Sequence, residues 1–184
     1  MTIRRRPGGR SARVREATLA ATLDELAAVG YGELTVEGIA RRAGVHKTTL
    51  YRRWGGVEAL VLEAMLERAR ERVPVRDTGS LRGDLLALAR AVVRNMTTPE
   101  NEALIRAAAV DPTLADSMRR FWDERFALDG EIVERAIERG ELPAGTDPKL
   151  VIETLLGPLY FRLLVTREPC DDAFVERVVD IVSG

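Results

Sequence analysis

The stretch TVEGIARRAGVHKTTLYRRW, residues 35–54, decides the fold. Thr35 suits the N-cap position, because its hydroxyl can accept a hydrogen bond from an unpaired backbone N–H of the first turn. One apolar stripe at helical spacing follows: Val36, Ile39, Ala40 and Ala43. Gly44 then ends the helix, since a glycine adopts the left-handed C′ conformation with the least strain. The first half of the stretch therefore predicts a short helix that ends in a tight turn.

The second half of the stretch predicts another short helix, which starts after Val45. Its larger apolar residues turn toward the first helix: Leu50, Tyr51 and Trp54. Its polar residues are left facing outward: His46, Lys47, Thr48 and Arg52. A small-residue turn between two helices, followed by a basic and hydroxyl-bearing second helix, is the signature of a helix-turn-helix unit. The second helix of such a unit enters the major groove of DNA, so the pattern predicts a DNA-binding function.

Charge is distributed unevenly along the chain. Residues 1–55 carry 11 basic and five acidic residues, a net charge of +6, whereas the remainder carries 17 basic and 24 acidic residues, a net charge of −7. A basic N-terminal part on an acidic body suggests a polyanion partner for one end only. Six arginines near the N-terminus, among them Arg4, Arg5 and Arg6, flank Pro7-Gly8-Gly9 and predict a flexible arm that contacts DNA. The alternative is a solvated basic leader, because such charge runs are common.

Length and composition limit the possible classes of protein. The chain has 184 residues, of which 46% are hydrophobic, so it can bury a substantial core. It contains no apolar run of about 18 residues, and hence no expected membrane span. No secretion-signal pattern is found either. The single cysteine, Cys170, excludes an internal disulfide and fits a reducing compartment, so we expect a cytoplasmic protein.

Catalytic and metal-binding patterns are missing from the sequence. His46 is the sole histidine and opens the predicted DNA-reading helix, so a Ser–His or Cys–His pair would have to lie inside the DNA-binding unit. No glycine-rich phosphate loop, CxxC pair or HExxH motif occurs. We therefore expect no enzyme activity, no cofactor and no metal. Cys170 is either an inert thiol or a redox sensor.

Helix start and stop signals divide the chain into about nine helices, with no strand pattern. Proline at the first helical position marks three starts, at Thr98-Pro99, Asp111-Pro112 and Asp147-Pro148. Ser80 and Asp171-Asp172 are expected to cap two further helices. The predicted fold is all-α. An N-terminal three-helix DNA-binding domain covers residues 1–55, and a helical ligand-binding and dimerisation domain covers residues 56–184.

The last two helices are more apolar than a single chain requires. Residues 150–165, LVIETLLGPLYFRLLV, are apolar on nearly every side, and residues 174–182 are apolar over more than half of the helix circumference. We expect them to pair with the same helices of a second copy as a four-helix bundle, although they could instead close the core of one chain. The predicted interface residues are Leu155, Leu159, Leu163, Phe174, Val178 and Ile181. Within the first of these helices, Pro158 predicts a kink, which serves either packing at the dimer seam or a hinge or pocket wall.

The segment GYGELTVEGIARRAGVHKTTLYRRW, residues 30–54, resembles the DNA-binding domain of the tetracycline-repressor (TetR) family of bacterial regulators. The second half, from ALIRAAAVDPTLADSMRRFW to DAFVERVVDIV, is similar to one C-terminal ligand-binding subfamily of those repressors. The resemblance implies a homodimeric repressor that binds a palindromic double-stranded operator and is released by a small-molecule effector. By position it suggests DNA contacts from Thr35, Lys47, Thr48, Thr49, Tyr51 and Arg52.

Two positions depart from the family pattern or from good helix chemistry. Val57 stands where the family usually has a lysine that reaches a DNA phosphate. Gly38 lies inside a helix, where glycine costs about 1 kcal/mol relative to alanine.

Helices four to eight are expected to enclose the effector pocket, which is the feature that the sequence determines least. Its candidate lining residues are Met65, Met96, Ile105, Met118, Trp122, Phe126 and Tyr160, each of which could instead be plain core. A solid core would indicate a ligand-independent regulator of the same fold. After the ligand-released repressor and the ligand-independent regulator, a helical enzyme or scaffold is the third possible class of function. Neither the effector nor the operator follows from the sequence.

Overall fold

Helices make up the regular secondary structure of residues 9–108 and 114–184, which this computed structural model describes. The order is α1 (Gly9–Val29), α2 (Val36–Ala43), α3 (Lys47–Trp54), α4 (Val57–Arg72), α5 (Leu81–Met96), α6 (Pro99–Ala108), α7 (Ala115–Glu138), α8 (Pro148–Tyr160) and α9 (Asp172–Ser183). A π-helical turn, Phe161–Thr166, extends α8. These elements confirm the predicted all-α fold. The predicted helix start at Asp111-Pro112 lies outside the described residues.

Side-chain caps fix where several helices begin. Thr35 Oγ1 accepts a hydrogen bond from the backbone N–H of Gly38 at 3.0 Å, as predicted for the start of α2. Ser80 caps α5 in the same way, and Asp147 and Asp171 cap α8 and α9. These starts were predictable because a cap depends on residues only two or three positions apart.

Gly38 allows two helices to approach closely. A Cβ atom added there would lie 2.7 Å from Glu25 Oε1 and 3.2 Å from Thr35 Oγ1. Glu25 is buried on α1, and its other carboxylate oxygen accepts from Arg42 Nε of α2 at 2.6 Å. The cost of a glycine inside α2 stays a prediction, and the structure adds a packing reason for the residue. Its missing side chain leaves room for the buried Glu25 carboxylate, which pairs with the partly exposed Arg42.

The described residues form two compact units, and the first comprises those that fall within Met1–Glu67 and Pro99–Met118. Within it α1 packs against α2 and α6, and α2 packs against α3. The side chains at its centre are fully buried: Leu26, Ile39, Leu50 and Leu60. The predicted division after Gly55 falls inside this unit, in which Glu63 of α4 accepts hydrogen bonds from Trp54 of α3 and Arg15 of α1.

The second unit comprises Arg68–Thr98 with Arg119–Gly184. Here α5 packs against α8 and α9, which also pack against each other. Leu85, Ile132 and Ile152 are fully buried at its centre. Pro158 lies inside α8, and the helix widens into the π-helical turn three residues later. Proline has no backbone N–H, so Pro158 cannot donate the helical hydrogen bond to the carbonyl of Thr154, four residues earlier.

None of the helices in the described residues is both long enough and apolar enough to cross a membrane.

Candidate nucleic-acid interface and ligand cavity

The helix-turn-helix unit has the geometry that residues 35–54 predict. Gly44 adopts the left-handed conformation with φ +66°, and its N–H bonds back to the last turn of α2. Leu50 and Trp54 of α3 are buried in the first unit. These two anchors fix the rotation of α3 about its axis, so the opposite side of the helix faces solvent.

The exposed side of α3 carries four of the predicted DNA-binding residues. Lys47, Thr48, Tyr51 and Arg52 are exposed and occupy one helical face. The expectation that Tyr51 turns toward α2 with Leu50 and Trp54 is wrong, because its side chain is 45% accessible. Thr49 is half-buried. His46 is the exposed N-cap residue of α3, and its imidazole makes no capping hydrogen bond. Thr35, the N-cap residue of α2, is also exposed. Arg4, Arg5 and Arg6 lie outside the described residues.

Lys47 has an intramolecular partner that the sequence did not reveal. Its Nζ donates to Glu37 Oε1 at 3.1 Å, and this hydrogen bond lowers the pKa of Glu37. Glu37 lies on α2, ten residues earlier, so no local spacing rule indicates the pair. An exposed ion pair of this kind contributes only about 0–1 kcal/mol, which a DNA phosphate or base can replace. Glu37 nevertheless places a carboxylate beside the surface where DNA would lie.

A cluster around Glu63 holds α3 in place within the first unit. Glu63 accepts from the indole Nε1 of Trp54 and from Arg15 Nε at 2.6 Å, and thereby joins α3, α4 and α1. Arg15 also donates to Glu67 Oε2 at 2.9 Å. Arg53, which was not among the predicted residues, is exposed with its guanidinium 4.8 Å from the Trp54 ring centre. The reading helix is therefore tied to α4 by a charged hydrogen-bond network.

A surface groove of about 600 Å³ lies at the end of α3 in the first unit. It is lined by Tyr31, Leu34, Trp54, Gly55, Gly56, Val57, Glu58 and Ala59. Val57 stands at the first turn of α4 and brings no charge to this groove. The lysine that the family usually supplies at this position is thus replaced by an apolar side chain at the start of a helix.

The second unit contains a small cavity of about 30 Å³ among α4, α5, α7 and α8. Three of the predicted pocket residues, Met96, Trp122 and Tyr160, line it. Phe126 does not line it, but its ring stacks on Trp122 with 5.3 Å between ring centres. The other three predicted residues belong to the first unit and do not line this cavity, and their role in ligand binding stays a prediction: Met65, Ile105 and Met118.

Two charged residues in the cavity wall, Arg125 and Asp129, were missed by sequence reasoning. Arg125 is 4% exposed, and its Nη2 donates to Asp129 Oδ1 at 2.6 Å and to the Val73 carbonyl at 3.1 Å. Burial raises the pKa of Asp129 to about 6, despite the nearby guanidinium. Their i,i+4 spacing was visible in the sequence, but such pairs on helices are solvated by default. Only the packing of α7 shows that this pair faces inward.

The predicted dimer residues fall into two groups. Leu155, Leu159 and Val178 are buried within the chain's own core and present no surface to a second copy. Leu163 and Phe174 are half-buried, and Ile181 is 81% exposed. The structure adds three exposed large apolar residues on α8 and the π-helical turn: Leu150, Phe161 and Val165. Half of the predicted set therefore serves the fold of one chain, because α8 and α9 pack on each other.

Cys170 has the environment of an unreactive thiol. It is half-buried, and burial raises its pKa, so the thiolate form is disfavoured. Among the described residues, no group of three or more His, Cys, Asp or Glu side chains is arranged to hold a metal ion.

Comparison with known proteins agrees with this architecture. A family model described as "Bacterial regulatory proteins, tetR family" matches residues 19–64, and one described as "Tetracyclin repressor-like, C-terminal domain" matches residues 75–182. The transcriptional regulator AqdR of Rhodococcus erythropolis is 40% identical over 82% of this chain and 74% of its own length. The DNA-binding transcriptional repressor TetR of Mycobacteroides abscessus is 34% identical over 90% of each chain.

A solved structure shows the same fold. The crystal structure of the TetR-family regulator SCO0332 superposes with a TM-score of 0.78 at 38% identity and covers 94% of this chain and 98% of its own. The matched segments include both the helix-turn-helix unit and the helical C-terminal part. The chain therefore belongs to the TetR family of DNA-binding transcriptional regulators.

Proposed function

We propose that this protein is a homodimeric transcriptional repressor that binds a palindromic operator through α3 and is released by a small-molecule effector. The observation that carries the proposal is the exposed polar face of α3, fixed by the buried anchors Leu50 and Trp54. The net charge of +6 on residues 1–55 supports DNA as the partner. The similarity to a protein named as a transcriptional repressor supports repression over activation. On this proposal the protein acts in the cytoplasm, where its operator lies.

Each DNA-contacting residue has a proposed role. Lys47 and Thr48 lie in the first turn of α3, which enters the groove, and read bases there. Tyr51, one turn further on, meets a phosphate and fixes the register. The remaining contacts would be made to the backbone by Thr35, His46, Thr49, Arg52 and the arginines of the arm, Arg4, Arg5 and Arg6.

The exposed apolar residues of α8, the π-helical turn and α9 support a two-fold dimer. Phe161, Val165 and Ile181 are each more than half exposed, although large apolar side chains are normally buried. We propose that they cover the same residues of a second copy, together with Leu150 and the half-buried Leu163 and Phe174. A two-fold dimer places two reading helices on successive major grooves, about 34–36 Å apart. The operator would then be palindromic.

Release by an effector requires a link from the cavity to α3, and α4 supplies one. Ala69 near the end of α4 lines the cavity of the second unit. Glu63, less than two turns earlier on the same helix, holds Trp54 of α3. A displacement of α4 by a ligand would thus be transmitted to the reading helix through a helix backbone and one hydrogen bond.

The small cavity favours a second candidate, a regulator of the same fold that needs no ligand. A volume of about 30 Å³ holds about one water molecule, whereas small-molecule sites usually enclose about 300–1,000 Å³. On the first proposal the second unit must therefore open when the effector binds. On the alternative, the closed core is the functional state.

A binding assay on the purified chain tests the proposal. We expect a DNA fragment from upstream of the neighbouring gene to bind much more tightly than random DNA at the same salt concentration, with one dimer per site. Equal binding of both fragments would overturn sequence-specific regulation. A screen of small molecules on the preformed complex then separates the candidates, because only the ligand-released repressor loses its DNA.

A further inference from the structure

The cavity of the second unit contains a buried hydrogen-bond donor without a protein partner. Nη2 of Arg125 makes both of the hydrogen bonds described above, to Val73 and Asp129. Nη1 of the same guanidinium is buried and has no hydrogen-bond partner among the described residues. Leaving a charged donor unsatisfied in the interior costs more than leaving a neutral one, so such an atom calls for an acceptor.

Apart from Asp129 and the amide side chain of Asn95, the residues that line the cavity with Arg125 are apolar or aromatic. The side chains of Ala69, Val73, Val92, Met96, Phe121, Trp122, Leu156 and Tyr160 line the cavity with it. The Trp122 ring contacts Tyr160 edge to face at 5.5 Å and Phe121 at 5.3 Å. An aromatic ring or other flat apolar group would find complementary surfaces here. Met96, with its unbranched side chain, is the residue best suited to move aside and enlarge the space.

The charge of the site selects against ionic ligands. Arg125 and Asp129 already form a buried pair with no net charge. A carboxylate-bearing ligand would add a negative charge beside Asp129, whose raised pKa shows that this site tolerates negative charge poorly. A cationic ligand would meet the guanidinium. A neutral molecule with an acceptor oxygen satisfies Nη1 without either penalty.

We propose that the effector of this protein is a neutral, mainly apolar molecule whose carbonyl or hydroxyl oxygen accepts a hydrogen bond from Arg125 Nη1. This inference rests on the proposed function only in calling the ligand an effector. The binding itself is a property of the second unit. A bound water is the other possible acceptor, and it would give no preference among organic probes.

Three benzene derivatives of similar size test the proposal: acetophenone carries a carbonyl, ethylbenzene carries no acceptor and benzoate carries a charge. Binding is measured by calorimetry and by the thermal shift of the full-length protein without DNA. We expect acetophenone to bind about tenfold or more tightly than ethylbenzene, and benzoate to bind no better than ethylbenzene. Arg125→Lys keeps the positive charge for Asp129 but carries all of its N–H donors on one nitrogen, so no second nitrogen remains to face the ligand and the preference for acetophenone should be lost. Arg82→Lys, at an exposed ion pair with Asp180, should leave the preference unchanged.

Three results would overturn the proposal. They are tighter binding of benzoate, equal binding of acetophenone and ethylbenzene, and no binding of any probe up to its solubility limit. If Arg125→Lys does not fold, the double variant Arg125→Met with Asp129→Leu removes both charges and every side-chain donor at these two positions, so it should bind ethylbenzene and acetophenone with equal affinity. Operator binding is measured separately, and none of these three results would contradict the proposal that the protein binds an operator. Loss of operator binding with the probe preference intact would instead contradict the proposed function.

Discussion

At the scale of single residues, the sequence does not reveal which charged groups are buried. Glu25, Asp84, Arg125 and Asp129 are all buried, although charged residues are exposed by default. Each is paired: Asp84, for example, accepts from the backbone N–H of Thr78 at 2.6 Å. Neither hydrophobic periodicity nor helix propensity identifies such residues, because their burial depends on how helices that are distant in the sequence pack around them.

Gly38→Ala tests the close approach of α1 and α2. The added methyl group would press on the Glu25 carboxylate, which Arg42 holds at 2.6 Å. We therefore expect urea denaturation to show a loss of about 1–3 kcal/mol in the free energy of unfolding, as for an overpacked site. In a Glu25→Ala background the same change should be neutral or stabilising by up to about 1 kcal/mol, since only helix propensity then remains. A stabilising effect in the native background would contradict the packing argument.

Asp129 should make stability depend on pH in a defined window. Its pKa rises from 3.8 to about 6 on folding, so the native state binds this proton more tightly than the unfolded state does. The carboxyl group's contribution to stability is then complete below about pH 3.8 and declines by up to about 3 kcal/mol as pH rises to about 6. Asp129→Asn cannot titrate. The difference in unfolding free energy between the native protein and this variant should fall from pH 4 to pH 6 and stay constant above pH 7. A difference that does not change with pH would contradict the raised pKa of Asp129.

At the scale of helices, local chemistry decides what a sequence can predict. The starts of α2, α5, α8 and α9 follow from their caps, and the end of α2 follows from Gly44, because these signals act within a few residues. The exposed face of α3 follows from the spacing of Leu50 and Trp54. The division of apolar residues between core and interface does not follow, since α8 is apolar on nearly all sides and periodicity leaves its orientation undetermined.

The same limit applies to the ligand cavity. Aromatic and methionine residues suggested the pocket, and Met96, Trp122 and Tyr160 do line it. Met65 and Met118 have the same chemistry but belong to the first unit, which only the packing reveals. The polar group that we propose to recognise the ligand, Arg125, resembles a solvent-exposed arginine in sequence.

Charge substitutions on the exposed apolar surface test the dimer. Ile181→Glu and Phe161→Glu each place a carboxylate on a surface that we propose to be covered by a second copy. We expect sedimentation velocity to show a folded dimer for the native protein and folded monomers for the two variants. Val29→Glu is the matched control, because Val29 is a 42% exposed apolar residue on α1 outside this surface. A native monomer at low micromolar concentration, or variants that remain dimers, would refute the interface.

At the scale of the whole molecule, the uneven charge distribution confines the attraction for DNA to one part of the chain. Residues 1–55 carry a net charge of +6 and residues 56–184 a net charge of −7, so only one end of the chain attracts DNA. The acidic remainder disfavours non-specific contact with the phosphate backbone. The sequence alone predicts this polarity, because net charge requires no knowledge of packing.

The basic arm should affect DNA affinity through salt-dependent phosphate contacts. Substitution of Arg4, Arg5 and Arg6 by glutamine should weaken binding to operator and random DNA by similar factors. It should also reduce the slope of log affinity against log salt concentration by about 0.9 for each lost phosphate contact. Fluorescence anisotropy over a salt series measures both quantities. An unchanged slope would show that these arginines do not contact DNA.

The central claim is that the first turn of α3 reads DNA sequence, and Lys47 offers the most direct test. DNA selected from a random library by the native protein and by Lys47→Ala should yield two palindromic consensus sequences that differ at one base pair per half-site. The discrimination lost there should amount to about 1–3 kcal/mol. Tyr51→Phe, the control on the same face, should weaken all sequences alike and keep the native consensus. An unaltered base preference for Lys47→Ala, or no sequence enriched by the folded native protein, would contradict the account.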